Sequence, residues 1–112
     1  MNRTPSGRMP RGVTPGAWGQ LTAFERAVYR AAAAIPRGQT RSYVWVARRI
    51  GRPGAARAVG NALHRNPFAP RIPCHRVVRA DGTLGGYAGG TARKRQLLRR
   101  EGAPRLRQLS RT

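Results

Sequence analysis

Acidic side chains are almost missing from this chain. Three Asp or Glu stand against 23 Lys or Arg in 112 residues, a formal net charge of +20. So one-sided a surface disfavours cationic partners and calls for a polyanion, nucleic acid first. Lysine is nearly missing too, because Lys94 is the lone one and every other basic side chain is arginine. A compositional preference for arginine would explain that second absence but not the first. Cysteine occurs once, at Cys74, which excludes an internal disulfide and a multi-cysteine zinc site. No run approaches the ~20 apolar residues that span a bilayer, no amphipathic membrane anchor is visible, and the amino terminus lacks the apolar centre of a signal peptide. The expectation is a cytoplasmic, nucleoid-associated protein with no membrane partner.

The length suits one domain with a modest core. Residues 1–20 are rich in Gly, Pro, Arg and Thr, with Met9, Val13 and Trp18 the larger apolar side chains. They read as a flexible basic tail, as do residues 103–112, which leaves 21–102 to hold the fold. In "LTAFERAVYRAAAAIPRG", Thr22 and Glu25 form a capping-box signal, Phe24, Val28 and Ala31 or Ala32 recur at helical spacing, and Pro36 with Gly38 stops the helix. "TRSYVWVARRIGRPG" predicts a second helix capped by Thr40 or Ser42 and running through Ile50, with Gly51 just past its end and Pro53 preventing continuation. "GAARAVGNALHRN" predicts a third, from about Ala55 to Arg65. Two helices joined by "GRPG" are a helix-turn-helix or an ordinary helical hairpin, and the charge favours the DNA-binding form. Pro67, Pro70 and Pro73 exclude helix from the next stretch. "RVVRADGTLGGYAGG" offers a short strand, an Asp-Gly turn and room for a second strand. "TARKRQLLRREG" closes as a helix with Leu97 and Leu98 inward and Gly102 as its stop. The fold expected is mainly α with a short β-hairpin or extended segments, a small single domain built on a helix-turn-helix, winged-helix-like unit.

Cys74 admits two readings. A free cysteine is usually a small buried hydrophobe. This one sits in a proline-constrained segment beside His75, with Arg71, Arg76 and Arg79 close in sequence, and positive potential stabilises a thiolate. Neighbours in an extended strand point to opposite faces. His75 therefore reaches the thiol proton only if the chain turns or a water bridges the two. A third group is needed to orient the imidazole. Glu25 serves a helix cap and Asp81 a turn. Glu101 remains, at a helix C-terminus where the dipole opposes a carboxylate.

Five blocks in order, "IPRGQTRSYVWVARRIG", "AARAVGNALHRNP", "IPCHRVV", "DGTLGGYAGG" and "RKRQLLRREG", closely resemble the C-terminal catalytic and DNA-binding domain of the O6-alkylguanine-DNA alkyltransferases, the methylated-DNA–protein-cysteine methyltransferases. The similarity runs from about Phe24 to Gly102. It implies a single-turnover, stoichiometric DNA repair methyltransferase reaction that needs neither cofactor nor metal. The protein would act as a monomer on double-stranded DNA containing O6-alkylguanine, bound through the minor groove. By the same resemblance Cys74 takes the alkyl group as a thioether, His75 is the base acting through a water, Glu101 orients His75, and Asn66 links the recognition helix to the cysteine turn. Tyr43 crowds the phosphate and Arg57 fills the space of the extruded nucleotide, on a DNA-facing surface that includes Ala56, Ala58, Gly60 and Asn61. Tyr43, Pro73, Tyr87, Ala88 and Gly89 would form the alkylguanine pocket. The small side chains of the third helix fit a groove only about 6 Å wide. Many members carry an additional N-terminal domain, for which residues 1–20 are too short. The alternative is the alkyltransferase-like type, which typically replaces the cysteine, binds O6-alkylguanine without efficient repair and signals to excision-repair proteins.

Overall fold

Thr22 starts the main helix as its sequence predicts. Its hydroxyl accepts from the Glu25 amide at 3.0 Å, while the Glu25 carboxylate accepts from the Thr22 amide at 2.9 Å. The computed structural model describes residues 9–10, 13–68, 70–87 and 89–103. Within them lie α1 (Pro15–Gly19), α2 (Ala23–Ala33), β1 (Arg41–Ser42), α3 (Tyr43–Arg49), α4 (Ala56–His64), a 3-10 turn (Cys74–Arg76), β2 (Val77–Val78) and α5 (Thr91–Arg100). The expected tail beyond Ala103 lies outside the described residues.

The core is where α2, α3 and α4 meet. Val28, Tyr29 and Ala32 of α2 face Val46 and Ala47 of α3 and Val59, Ala62 and Leu63 of α4, all buried. The alanines let the helix axes approach closely. Tyr29 is sealed in this contact, and its hydroxyl donates to the Ala62 carbonyl at 2.6 Å. Burial is the main reason its phenol is pushed up to about 12. Ser42 caps α3 by accepting from the Trp45 amide at 2.9 Å, and Gly51 ends that helix at a φ of 79°. The α3–turn–α4 pair is thus the expected helix-turn-helix. With Val59, Ala62 and Leu63 turned inward, Arg57, Ala58, Asn61 and His64 are left on the outer face.

Two sequence expectations change. The first is a strand pairing with β2 across the Asp81–Gly82 turn. The turn forms: the Arg79 amide donates to the Thr83 carbonyl at 3.0 Å, and Asp81 accepts from the Thr83 amide at 3.0 Å. The strand that pairs with β2 is β1 instead, in parallel, with Arg41 opposite Val77 and Ser42 opposite Val78. After the turn residues 83–87 form no strand, and the Gly86 carbonyl accepts from the Lys94 ammonium at 3.1 Å. The second change concerns residues 13–20, whose composition reads as part of the amino-terminal tail. Thr14 caps α1, Pro15 occupies its first turn, and Val13 and Trp18 join the core. Trp18 lies against Phe68 with ring centroids 6.5 Å apart and carries the Arg30 guanidinium 5.9 Å over its own ring.

Replacing Trp18 by Ala is expected to lower the unfolding free energy by about 3 kcal/mol in a urea titration, the cost of removing a buried indole. An unchanged midpoint would mean that residues 13–20 behave as a tail.

Candidate active site

The three prolines that break the helical pattern deliver the chain to a tight turn. Asn66, at the exit of α4, fixes both ends of that loop. Its side-chain amide donates to the Ile72 carbonyl and its oxygen accepts from the Phe68 amide, both at 2.8 Å. It also hydrogen-bonds Cys74. Cys74, His75 and Arg76 then form a 3-10 turn. The alternation of an extended strand is absent there, so the backbone does not send the Cys74 and His75 side chains to opposite faces as a strand would.

His75 is 1 % exposed. Its Nε2 lies 2.8 Å from Glu101 Oε2. Glu101 is the C-cap of α5, where the helix dipole does not favour it, and three cationic contacts account for its retention. Arg76 grips both carboxylate oxygens, each at 2.9 Å, and sends its third nitrogen to the Ile35 carbonyl at 2.7 Å. Arg37 adds a longer contact at 4.0 Å. Burial alone would raise the Glu101 pKa, but the hydrogen bonds from Arg76 and His75 outweigh it and bring it to about 2. The carboxylate is therefore ionised, so Nε2 of a neutral His75 must carry the proton. Nδ1 is then the lone-pair nitrogen, and it is buried without a protein partner. Burial, with the Arg76 and Lys94 charges, lowers the imidazole pKa against the hydrogen bond and charge of Glu101, which raise it. A neutral, oriented base results.

Cys74 is 3 % exposed. Burial raises its thiol pKa, while the Asn66 hydrogen bond and the Lys94 charge pull the other way. The resting group is the neutral thiol. Lys94 is a member of the site that the sequence motifs do not point to. It is fully buried, and its three ammonium hydrogens meet three oxygens: Val77 O at 2.7 Å, Gly86 O at 3.1 Å and the Tyr43 hydroxyl at 3.4 Å. Burial pushes its pKa down to about 8. The signal was present in the composition. A guanidinium carries five donors in a planar fork and would not fit a three-acceptor cage, so the one lysine among so many arginines marks the position.

The remaining expected residues divide into two groups. Tyr43, Ala56, Arg57, Gly60 and Asn61 line one open cavity of about 600 Å³. Ala58 is exposed on the same helix but outside its walls. The expected alkylguanine-pocket residues fall in different surroundings among the described residues. Tyr43 lines that open cavity, whereas Pro73 and Tyr87 are buried. Tyr87 turns its ring edge-on to His75 at 6.4 Å and rests close to Gly89. Ala88 lies outside the described residues. Gly85 tolerates no side chain: its φ is 73°, and a Cβ there would stand 2.7 Å from the Tyr43 hydroxyl. Among the described residues, no group of three His, Cys, Asp or Glu could hold a metal ion, and no helix is long and apolar enough to cross a membrane.

Comparison with known proteins places this geometry. The family described as "6-O-methylguanine DNA methyltransferase, DNA binding domain" matches residues 23–103. A methylated-DNA–protein-cysteine methyltransferase of Salmonella typhimurium is 56% identical over 81 residues, which are 72% of this chain and 47% of that protein. One from Mycolicibacterium paratuberculosis is 57% identical over 75 residues, 67% of this chain and 46% of its own length. The chain thus spans about half the length of these curated relatives. Among solved structures, Mycobacterium tuberculosis OGT in complex with DNA superposes with a TM-score of 0.73 at 53% identity, covering 76% of this chain and 54% of that one. Schizosaccharomyces pombe Atl1, in complex with damaged DNA containing O6-carboxymethylguanine, has a TM-score of 0.67 at 33% identity, covering 74% and 79%.

The Glu101 carboxylate gives a pH test. Its folded pKa is below the ordinary value of 4.5, so its stabilising contribution is present above that value and is lost as pH falls towards about 2. Unfolding midpoints measured across this window should fall for the native chain. A Glu101→Gln variant should start lower and show a shallower decline.

Proposed function

This chain belongs to the O6-methylguanine DNA methyltransferase family through its DNA-binding domain, and on that premise we propose that it repairs DNA by taking an alkyl group from O6 of guanine onto Cys74. The observation that carries the proposal is the partnerless His75 Nδ1, on a ring whose other nitrogen is fixed by Glu101, one residue from the thiol.

The step balances without a cofactor. The Cys74 proton passes to His75 Nδ1, through a water in the form that the family resemblance implies. The thiolate attacks the alkyl carbon, a sulfur–carbon bond forms and the carbon–O6 bond breaks. Its electron pair stays on guanine, which recovers a proton and leaves as the normal base. Glu101 stabilises the imidazolium formed on the way, as a buried carboxylate does for a catalytic histidine. The Lys94 ammonium favours the thiolate over the thiol. Thioether formation is not reversed by any group in the site, so each molecule reacts once.

A thiol this buried cannot meet a base stacked in a duplex. The base must be extruded, at a cost of a few kcal/mol. Arg57 in the first turn of α4 is the side chain to occupy the vacated stack, and the small residues Ala56, Ala58 and Gly60 allow α4 into the minor groove. Tyr87 must swing from its inward position for the base to enter.

A second reading is supported by the likeness to Atl1, most of whose length this chain covers. Here the protein would recognise O6-alkylguanine and hand it to excision-repair proteins, with Cys74 idle. Retention of the Cys74–His75–Glu101 arrangement favours transfer.

Intact-mass analysis after mixing with duplex DNA containing O6-methylguanine should show one added methyl group, located on Cys74 and missing in Cys74→Ala. Full binding with an unmodified Cys74 would leave the recogniser reading in its place. Arg57→Ala should slow methylation by a lesion in duplex at least tenfold, about the effect of losing 1.4 kcal/mol. It should leave reaction with the free O6-alkylguanine base near the native rate, and equal slowing of both would contradict the extrusion role.

A further inference from the structure

The open cavity beside α4 carries more positive charge than the proposed reaction uses. Besides Arg57 and Tyr43 its walls include His64 and Arg79, neither of which the family resemblance assigned a role. Both are exposed, and no carboxylate lines the cavity. Glu25 is occupied by its cap and by Arg65 at 3.4 Å. Glu101 is held by His75 and Arg76, and Asp81 accepts from both the amide and the hydroxyl of Thr83.

Position makes Arg79 more than one further surface arginine. The parallel register pairs Arg41 with Val77 and Ser42 with Val78, so the next residues along the two strands, Tyr43 and Arg79, emerge side by side. The electrostatics agree, since the Arg79 charge acts on the Tyr43 hydroxyl and on Lys94. Its backbone is fixed by two turn hydrogen bonds, Arg79 N–H to Thr83 O and Gly82 N–H to Arg79 O, each 3.0 Å. His64 reaches the same cavity from a different element, the last turn of α4. Its Nδ1 lies 3.8 Å from where a Cβ on Gly86 would stand, so the ring leans across the cavity towards the glycine loop.

We propose that Arg79 and His64 form a two-sided phosphodiester clamp, gripping the DNA backbone that flanks the extruded nucleotide while its base passes Tyr43 towards Cys74. The inference rests on the DNA-repair reading and adds to it the residues that hold the backbone. A guanidinium presents paired donors matched to two phosphate oxygens, and an imidazole adds one N–H from the other side. Clamping on both sides of Tyr43 keeps the strand open where the nucleotide turns out. The two act as positioning residues, because neither lies at the thiol.

The test reads binding without chemistry, in a Cys74→Ala background, so failure of alkyl transfer leaves its outcome untouched. Duplexes containing O6-methylguanine carry a single uncharged methylphosphonate, moved one linkage at a time along the lesion strand. With Arg79 and His64 present, affinity should fall about tenfold at linkages next to the lesion, the loss of a charge-assisted hydrogen bond. Adding Arg79→Ala should erase that penalty at one of these linkages and leave it at the other, and His64→Ala should do the reverse. Arg79→Ala should also reduce the salt dependence of binding by about one counterion. With Cys74 restored, both variants should react with the free O6-alkylguanine base at the native rate, which a damaged fold would not do. Unaltered penalties in either variant would overturn the clamp.

Discussion

The Glu101 carboxylate is the point on which the site depends. It stands at the end of α5, against the helix dipole, and is stabilised there by Arg76 on both oxygens and His75 on one. Arg76 also reaches the Ile35 carbonyl just past α2. One buried ion pair therefore ties the last helix, the cysteine turn and the end of the first long helix together, and in doing so fixes which nitrogen of His75 bears the proton. The contact that ties these elements together is also the one that orients the imidazole and leaves its Nδ1 without a protein partner.

The charge imbalance has a matching spatial logic. The chain has three carboxylate side chains, and each is engaged by groups of the protein. Glu25 caps α2, Asp81 closes a turn and Glu101 holds the histidine. None lines the cavity beside α4. That face offers a polyanion arginine and histidine with no internal competitor, while the ammonium of Lys94 is withdrawn to the interior, where its three oxygen partners satisfy it and its field bears on the thiol.

Much of this is legible in the chain. The Thr22–Glu25 box, the Gly51 stop and the Ser42 cap are local devices, formed by residues within a few positions of one another, so their sequence signals translate directly into helix ends. Asn66, Cys74, His75 and Glu101 are named by the resemblance, and they come together. Trp18 is not legible, because a short segment rich in Gly and Pro gives no periodicity, and its indole packs on Phe68 and Arg30, both distant in sequence. The partner of β2 is hidden for a similar reason: a turn signal reports that the chain reverses, not which edge the returning backbone will meet. Lys94 is visible only as an oddity of composition.

Helices α2 to α5, the break in helix around the three prolines and the basic character of the surface follow from the chain alone, because caps, prolines and charge act locally or simply sum. Three outcomes needed the folded molecule. A carboxylate 26 positions from His75 sets its tautomer, the lone ammonium is caged beside the thiol, and Arg79 emerges next to Tyr43. They come from the packing of α5 on the cysteine turn and from the parallel register of two short strands. Long-range contacts of that kind are selected by the burial free energy of the whole core and leave no mark in any short stretch of the chain.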